Sequence, residues 1–213
     1  MKKLLIIAAM AASCIMADAQ DIKLPTPQTS RKTMMVSEAL ATRHSVRQYS
    51  KKELSLQDLS DLCWAAVGIN RPDGRLTSPT ARNKQEIRLY VFDKKNVYEY
   101  IASENKLKFR VAGDHRKLLA EGPNFSQEFV YDAPVTLVMV IDFEKFGSQD
   151  EHARTVSCVD AGIVSENINL FCQAAGLVTV PRAMMDATGI RSLIGLSGKF
   201  WPVMNNPVGY PVK

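Results

Sequence analysis

A chain of 213 residues with 46% hydrophobic and 23% charged residues has the length and balance of one globular domain with a sizeable core, which excludes a disordered chain. Its formal charge of +5 is mild and unclustered. No basic tract or aromatic-laced positive stripe marks a nucleic-acid partner.

Residues 1–19 have the three-part layout of a secretory signal: Lys2 and Lys3, an apolar run over 4–16, and the small-x-small sequence Ala17-Asp18-Ala19. The apolar run is too short to span a bilayer comfortably, so a mature chain beginning at Gln20 is expected outside the cytoplasm, in the periplasm, without a transmembrane segment. Cleavage removes two lysines and one aspartate and leaves +4. A lipoprotein signal acylated at Cys14 is the lesser alternative, because Ala11 stands where a Leu is usual. Residues 20–34, with Pro25 and Pro27, read as an extended leader, and 35–213 as the folded domain.

Ser37 is expected to cap a short helix over 37–42 that delivers Arg43-His44-Ser45-Val46-Arg47. In extended backbone alternate side chains share a side, so Arg43, Ser45 and Arg47 face one way, and His44 and Val46 the other. Two guanidinium forks and a hydroxyl are what a phosphate monoester asks for. A solvated basic turn is the plain alternative. A second helix starts at Ser55, with Asp58 three residues on, and carries Leu56, Leu59, Leu62, Cys63 and Ala66 on one stripe to Gly68. Trp64 lies off that stripe.

A polar loop over 70–84 follows, then a strand over 87–92, a second strand and a turn over 96–110, and a helical segment over 115–121. The run PVTLVMVI over 134–141 is expected as a central strand buried on both faces. The longest helix spans 151–175 and is apolar around so much of its circumference that it should be buried within the chain or against a second copy. Gly176 ends it. Residues 177–180 form a short strand stopped by Pro181, and a last helix over 187–194 leads to a tail over 206–213. Cys63, Cys158 and Cys172 lack C-x-x-C spacing and read as buried small hydrophobes, with one disulfide open to an exported chain. His44, His115 and His152 have no ligand spacing, so no metal site is expected.

Four segments, in this order, resemble the nitroreductase family of FMN-dependent oxidoreductases. They are Arg43-His44-Ser45-Val46-Arg47; Pro79-Thr80-Ala81-Arg82-Asn83-Lys84-Gln85; Asp160-Ala161-Gly162 with Asn167 and Leu170, running through Ala175-Gly176-Leu177 into Val180-Pro181-Arg182-Ala183-Met184; and the closing Gly209-Tyr210-Pro211. The likeness covers residues of about 35–213. It implies an α+β fold with a mainly antiparallel central sheet flanked by helices, and a homodimer with FMN at its interface.

Carried onto this chain, the resemblance implies that Arg43, Ser45 and Arg47 hold the FMN phosphate and ribityl chain, with His44 beside them. Asn83 would sit near the polar edge of the ring system. Main chain at Pro181, Arg182, Ala183 and Met184 would approach flavin N5, and Lys213 would add a phosphate contact. No catalytic side chain is implied, because the flavin carries the chemistry. The implied reaction reduces a small conjugated acceptor, a nitroaromatic or quinone, in two half-reactions with NAD(P)H as the family's donor. That donor is cytoplasmic and the signal exports the chain. The alternatives are therefore an exported flavin-binding carrier without NAD(P)H turnover, or a dehydrogenase acting on a peptide-bound ring. Arg182 replaces an acidic or neutral residue common in relatives. A cation there favours an anionic substrate or the reduced flavin anion, or makes a surface salt bridge. Acceptor specificity is expected over 96–127, with Phe109, Phe125 and Phe129 either lining a pocket or filling the core.

Overall fold

The computed structural model describes residues 20–121 and 126–212. The signal read over 1–19, Phe125 and Lys213 lie outside them. The elements, in chain order, are β1 (Ile22–Lys23), α1 (Val36–Thr42), α2 (Leu56–Val67), β2 (Ile87–Asp93), β3 (Asn96–Ile101), β4 (Lys106–Ala112), α3 (Lys117–Ala120), β5 (Val135–Asp142), α4 (Phe143–Phe146), α5 (Glu151–Ala175), β6 (Val178–Thr179), α6 (Ala187–Leu193) and β7 (Phe200–Gly209).

The strands form one sheet in the order β1-β4-β3-β2-β5-β7-β6, and every pair is antiparallel. All eight residues of β5 are buried, as its unbroken apolar run requires of a strand covered on both sides. Alternation sends Leu137, Met139 and Ile141 into the core under α2 and α5. Val138 and Val140 point into the core under α3, α6 and the 3-10 turn Glu128–Tyr131. Each such side chain contributes about 1.5–3 kcal/mol on leaving water. The result is helices on both faces of an antiparallel sheet, the α+β arrangement expected.

Local signals explain several boundaries. Ser55 caps α2 by accepting from the Asp58 N–H at 3.0 Å. Gly176 ends α5 with φ of 66°, a left-handed conformation that favours glycine. At the end of α2, Gly68 meets a demand for space instead: a Cβ there would lie 2.3 Å from Trp64 Cδ1. Trp64, half-buried, donates its indole N–H to the Ile69 carbonyl at 3.1 Å.

Four expectations are corrected. Ser37 lies inside α1, whose N-cap position is Met35 without a side-chain bond. Residues 96–110 hold two strands, not one, separated by a 3-10 turn and by Asn105 in the left-handed region. The tail contains a ten-residue strand, β7, beginning at Phe200. The leader, finally, is part of the fold. Ile22 and Lys23 pair with β4, Leu24 is buried, and Gln28 N–H donates to Asp61 at 2.8 Å. Arg31 and Lys32 form ion pairs with Asp58, and Arg31 also with Asp61.

The long helix α5 buries one face only. Val159 stays 60% exposed, and on the adjoining α1 region Met35, Val36 and Leu40 are 73%, 67% and 56% exposed. Cys63 and Cys172 are buried, and Cys158 is half-buried; all three are free thiols.

Candidate functional site

The chain leaves α1 at Arg43 and runs extended past β6. Val46 N–H donates to the Thr179 carbonyl at 3.0 Å, which docks this segment on the sheet's outer strand. The buried Tyr49 adds a second tie, donating its hydroxyl to the Val46 carbonyl at 3.1 Å; burial raises its phenol well above the ordinary range.

Arg43, His44 and Ser45 line one recess with Asn169, Thr179 and Pro181. The phosphate-type motif and the turn after β6 therefore meet within a single chain. The expected alternation is not kept: Arg43, His44, Ser45 and Val46 all line the recess. Enclosed space there is about 20 Å³, room for one water molecule and far too little for a fused ring system. Anything larger must lie over the open side.

Among the described residues neither Arg43 nor Arg47 has a carboxylate partner or a side-chain hydrogen bond. Arg47 is exposed and its guanidinium stands 6.0 Å from the centre of the Phe129 ring. The guanidinium of Arg182 lies over the same ring at 5.5 Å.

Arg182 is only 6% exposed, so the surface salt bridge considered for it does not form. Its Nε donates to Gln127 Oε1 at 2.6 Å, Nη1 to Asn205 Oδ1 at 2.6 Å and Nη2 to the Leu119 carbonyl at 2.9 Å. All three acceptors are neutral. Burial lowers its guanidinium to about 10, still charged at neutral pH. Its main chain is committed as well: Arg182 N–H donates to the Asn205 carbonyl at 2.8 Å, and Asn205 N–H to the Arg182 carbonyl at 2.7 Å. Of the three amides expected to face a ring, that of Arg182 is therefore used within the fold. Ala183 is exposed and Met184 half-buried.

Asn83 lies in another recess, with Arg71, Arg75 and Ser78. Its loop is unusual, because Arg82, Asn83 and Gln85 all have φ between 51° and 54°, a conformation that costs about 1–2 kcal/mol per non-glycine residue. Side chains hold it there: Asp160 Oδ2 accepts from Ala81 N–H at 2.8 Å, and Thr80 Oγ1 from Gln85 N–H at 2.9 Å. Asn83 and Arg43 line separate recesses of this chain.

The sequence reading missed Asn169, Thr179, Asn205 and Asn206. Asn206 is buried, accepts from Ser165 Oγ at 2.8 Å, and donates to Asn169 Oδ1 at 3.1 Å and Thr179 Oγ1 at 3.3 Å. The available signal was the pair of amides in a segment flanked by Phe200 and Val208, which a tail has no use for. Phe109 packs on the core and meets Tyr98 edge to face.

Residues 40–210 match the model of the nitroreductase family. A curated candidate nitroreductase of Methanocaldococcus jannaschii is 27% identical over 93% of this chain and 100% of its own length. The crystal structure of a candidate nitroreductase from Ralstonia eutropha superposes with a TM-score of 0.81 at 28% identity, over 91% of this chain and 90% of that one. An FMN-dependent nitroreductase from Clostridium difficile shares the fold at a TM-score of 0.58 and 19% identity, over 82% of this chain and 87% of that one.

Proposed function

The chain belongs to the nitroreductase family, and from that premise we propose that it is an exported FMN-dependent oxidoreductase. It works as a homodimer and passes electrons to a small conjugated acceptor of nitroaromatic or quinone type. One observation carries the reading: Arg43 and Ser45 share a recess with Pro181. The segment expected to hold the cofactor's phosphate and the segment expected to face its ring are thus side by side.

The donor set fits the group. Among the described residues Arg43 and Arg47 lack the carboxylates that normally satisfy arginines, and a phosphate dianion offers both the charge and the paired oxygens a guanidinium fork takes up. Ser45 adds a hydroxyl donor. Bound FMN supplies hydride chemistry at its ring. The chain binds the tail through residues 43–47, offers main chain after Pro181 as the wall against the ring, and excludes water from that side.

A second copy is proposed over the apolar face formed by Met35, Val36 and Leu40 with Val159. These four apolar residues are 56–73% exposed, and the open side of the recess calls for a covering body. The partner's loop around Asn83 is the proposed source of the polar contacts that one chain leaves distant.

An absorption spectrum of the purified chain, with an FMN titration, tests the reading. Flavin bands and saturable uptake are expected; colourless protein that takes up no FMN overturns it. Anaerobic mixing then separates enzyme from carrier. Reduction by NADH or NADPH with reoxidation by a quinone marks turnover, whereas reduction by dithionite alone marks the carrier. The mass of the secreted chain, expected to begin at Gln20, tests export; a lipid on Cys14 would replace that cleavage.

A further inference from the structure

Asn205 and Asn206 are adjacent on β7, and neither has any exposed surface. Neighbouring residues of a strand point to opposite faces, so the two amides reach different elements. Asn205 Oδ1 accepts from Arg182 Nη1 at 2.6 Å and its Nδ2 donates to the Met184 carbonyl at 3.1 Å. With the two main-chain bonds already described, Asn205 grips residues 182–184 at four points. Asn206 reaches the other way, to Ser165 and Asn169 of α5 and to Thr179 of β6, and Asn169 and Thr179 line the Arg43 recess.

Two uncharged amides buried within a sheet contribute less to stability than apolar side chains of similar size. What a fully satisfied buried network does is fix one arrangement of the groups it joins. Here those groups belong to the two halves of the proposed flavin site. The networks share a strand and no side-chain bond, so they can be perturbed separately.

We propose that Asn205 and Asn206 are positioning residues for the bound cofactor. Asn205 sets the main chain at 182–184 against which the ring rests, and Asn206 sets the Asn169–Thr179 wall of the recess that takes the tail. This rests on the FMN reading above. Ring contacts differ between oxidised and reduced flavin, whereas phosphate and ribityl contacts do not. A midpoint potential reports the ratio of affinities for the two redox forms. The ring-side asparagine should therefore govern potential, and the tail-side asparagine affinity.

The test uses the full mature chain with Asn205→Ala, Asn205→Asp and Asn206→Ala, reading FMN affinity by fluorescence titration, then the visible spectrum and midpoint potential of the loaded protein. Asn206→Ala is expected to weaken FMN binding about tenfold, or about 1.4 kcal/mol, with the potential unchanged. Asn205→Ala is expected to move the flavin bands and the potential while affinity for oxidised FMN changes less than about threefold, since the tail contacts persist. Asn205→Asp keeps the acceptor for Arg182, loses the donor to Met184 and adds a negative charge beside the guanidinium, so it should lower the potential. It carries the test if Asn205→Ala does not fold. Unmoved potentials in the Asn205 variants overturn the inference, as do parallel losses of affinity, potential and melting temperature in all three. A wild-type chain that binds no FMN instead removes the cofactor reading itself.

Discussion

Val46 donates its main-chain N–H to the carbonyl oxygen of Thr179 at 3.0 Å, and this bond joins two segments separated by most of the chain. On one side stands an arginine-rich stretch without counter-ions among the described residues, on the other the turn through Pro181. The geometry makes residues 43–47 an extra margin on the sheet, held through the main chain of Val46, with the Arg43 and Ser45 side chains left to serve the recess.

Arg43→Ala should weaken FMN binding by roughly 10- to 100-fold, because a charge-assisted bond to phosphate contributes about 1.5–3 kcal/mol. Ser45→Ala removes a neutral donor and should cost about threefold to tenfold. Fluorescence titration at two ionic strengths checks both. The loss on removing Arg43 should shrink as salt rises, and an Arg43 variant that binds FMN like wild type would count against the phosphate role.

Leu40→Glu and Val159→Glu place a charge on the exposed apolar face of α1 and α5. If a second copy covers that face, each should shift the chain from dimer to monomer in sedimentation velocity, since an unpaired buried charge costs several kcal/mol. FMN affinity should fall with it. Unchanged sedimentation of a dimeric wild type would place the interface elsewhere.

Glu86 has no exposed surface and neither of its carboxyl oxygens finds a hydrogen-bond partner among the described residues. Burial, and then the neighbouring Asp160, hold its carboxyl up to about 7. The fold therefore keeps a proton that the unfolded chain releases near pH 4.5, so stability falls as pH rises from about 4.5 to about 7 and is level above. Glu86→Gln removes the ionisation. Its melting temperature should exceed that of wild type at pH 8, by the equivalent of about 1–2 kcal/mol, and converge with it near pH 4. Because the neighbouring Asp160 also holds the Ala81 N–H of the Asn83 loop, the same variant reports whether that loop depends on the charge at Glu86.

Asp58 gathers Arg31, Lys32, the Ser55 hydroxyl as its cap, and the Tyr210 hydroxyl as a donor. Burial alone would raise this carboxyl, but Lys32, Tyr210 and Arg31 together hold it well below the usual carboxylate range. Its contribution is present above the unfolded carboxylate pKa and is lost as pH falls below it. Asp58→Ala should cost about 2 kcal/mol at neutral pH through the lost charged hydrogen bonds and free the leader. Limited trypsin digestion should then cut after Arg31 or Lys32 faster than in wild type.

What the sequence made legible is what is decided locally or by an unbroken pattern. The Ser55 cap, Gly176 and the run of β5 each announce themselves within a few residues. β7 does not, because Pro202, Asn205, Asn206 and Pro207 are poor strand formers, and only the long pairing with β5 overrides them. Asn205 turns its N–H and carbonyl outward to Arg182, so Pro207, two residues on, also faces outward, where its missing N–H breaks no bond to β5. The burial of Arg182 is hidden for a related reason: a lone arginine in a turn is ordinarily at the surface, and nothing nearby in sequence reveals three neutral acceptors drawn from distant segments. The motif residues Arg43, Ser45 and Pro181 were legible by resemblance, the asparagines behind them were not.

The short pairing of β1 has a consequence for how copies of this chain can meet. Ile22 and Lys23 pair only with Leu107 and Lys106, and beyond them the Phe109 N–H of β4 donates to Asp21. Lys108 is exposed on that strand, while Arg110 is paired with Glu99; an edge lysine disfavours the end-to-end addition of strands that builds fibres. Charge guards one flank of the sheet, while apolar residues of α1 and α5 stay exposed to solvent.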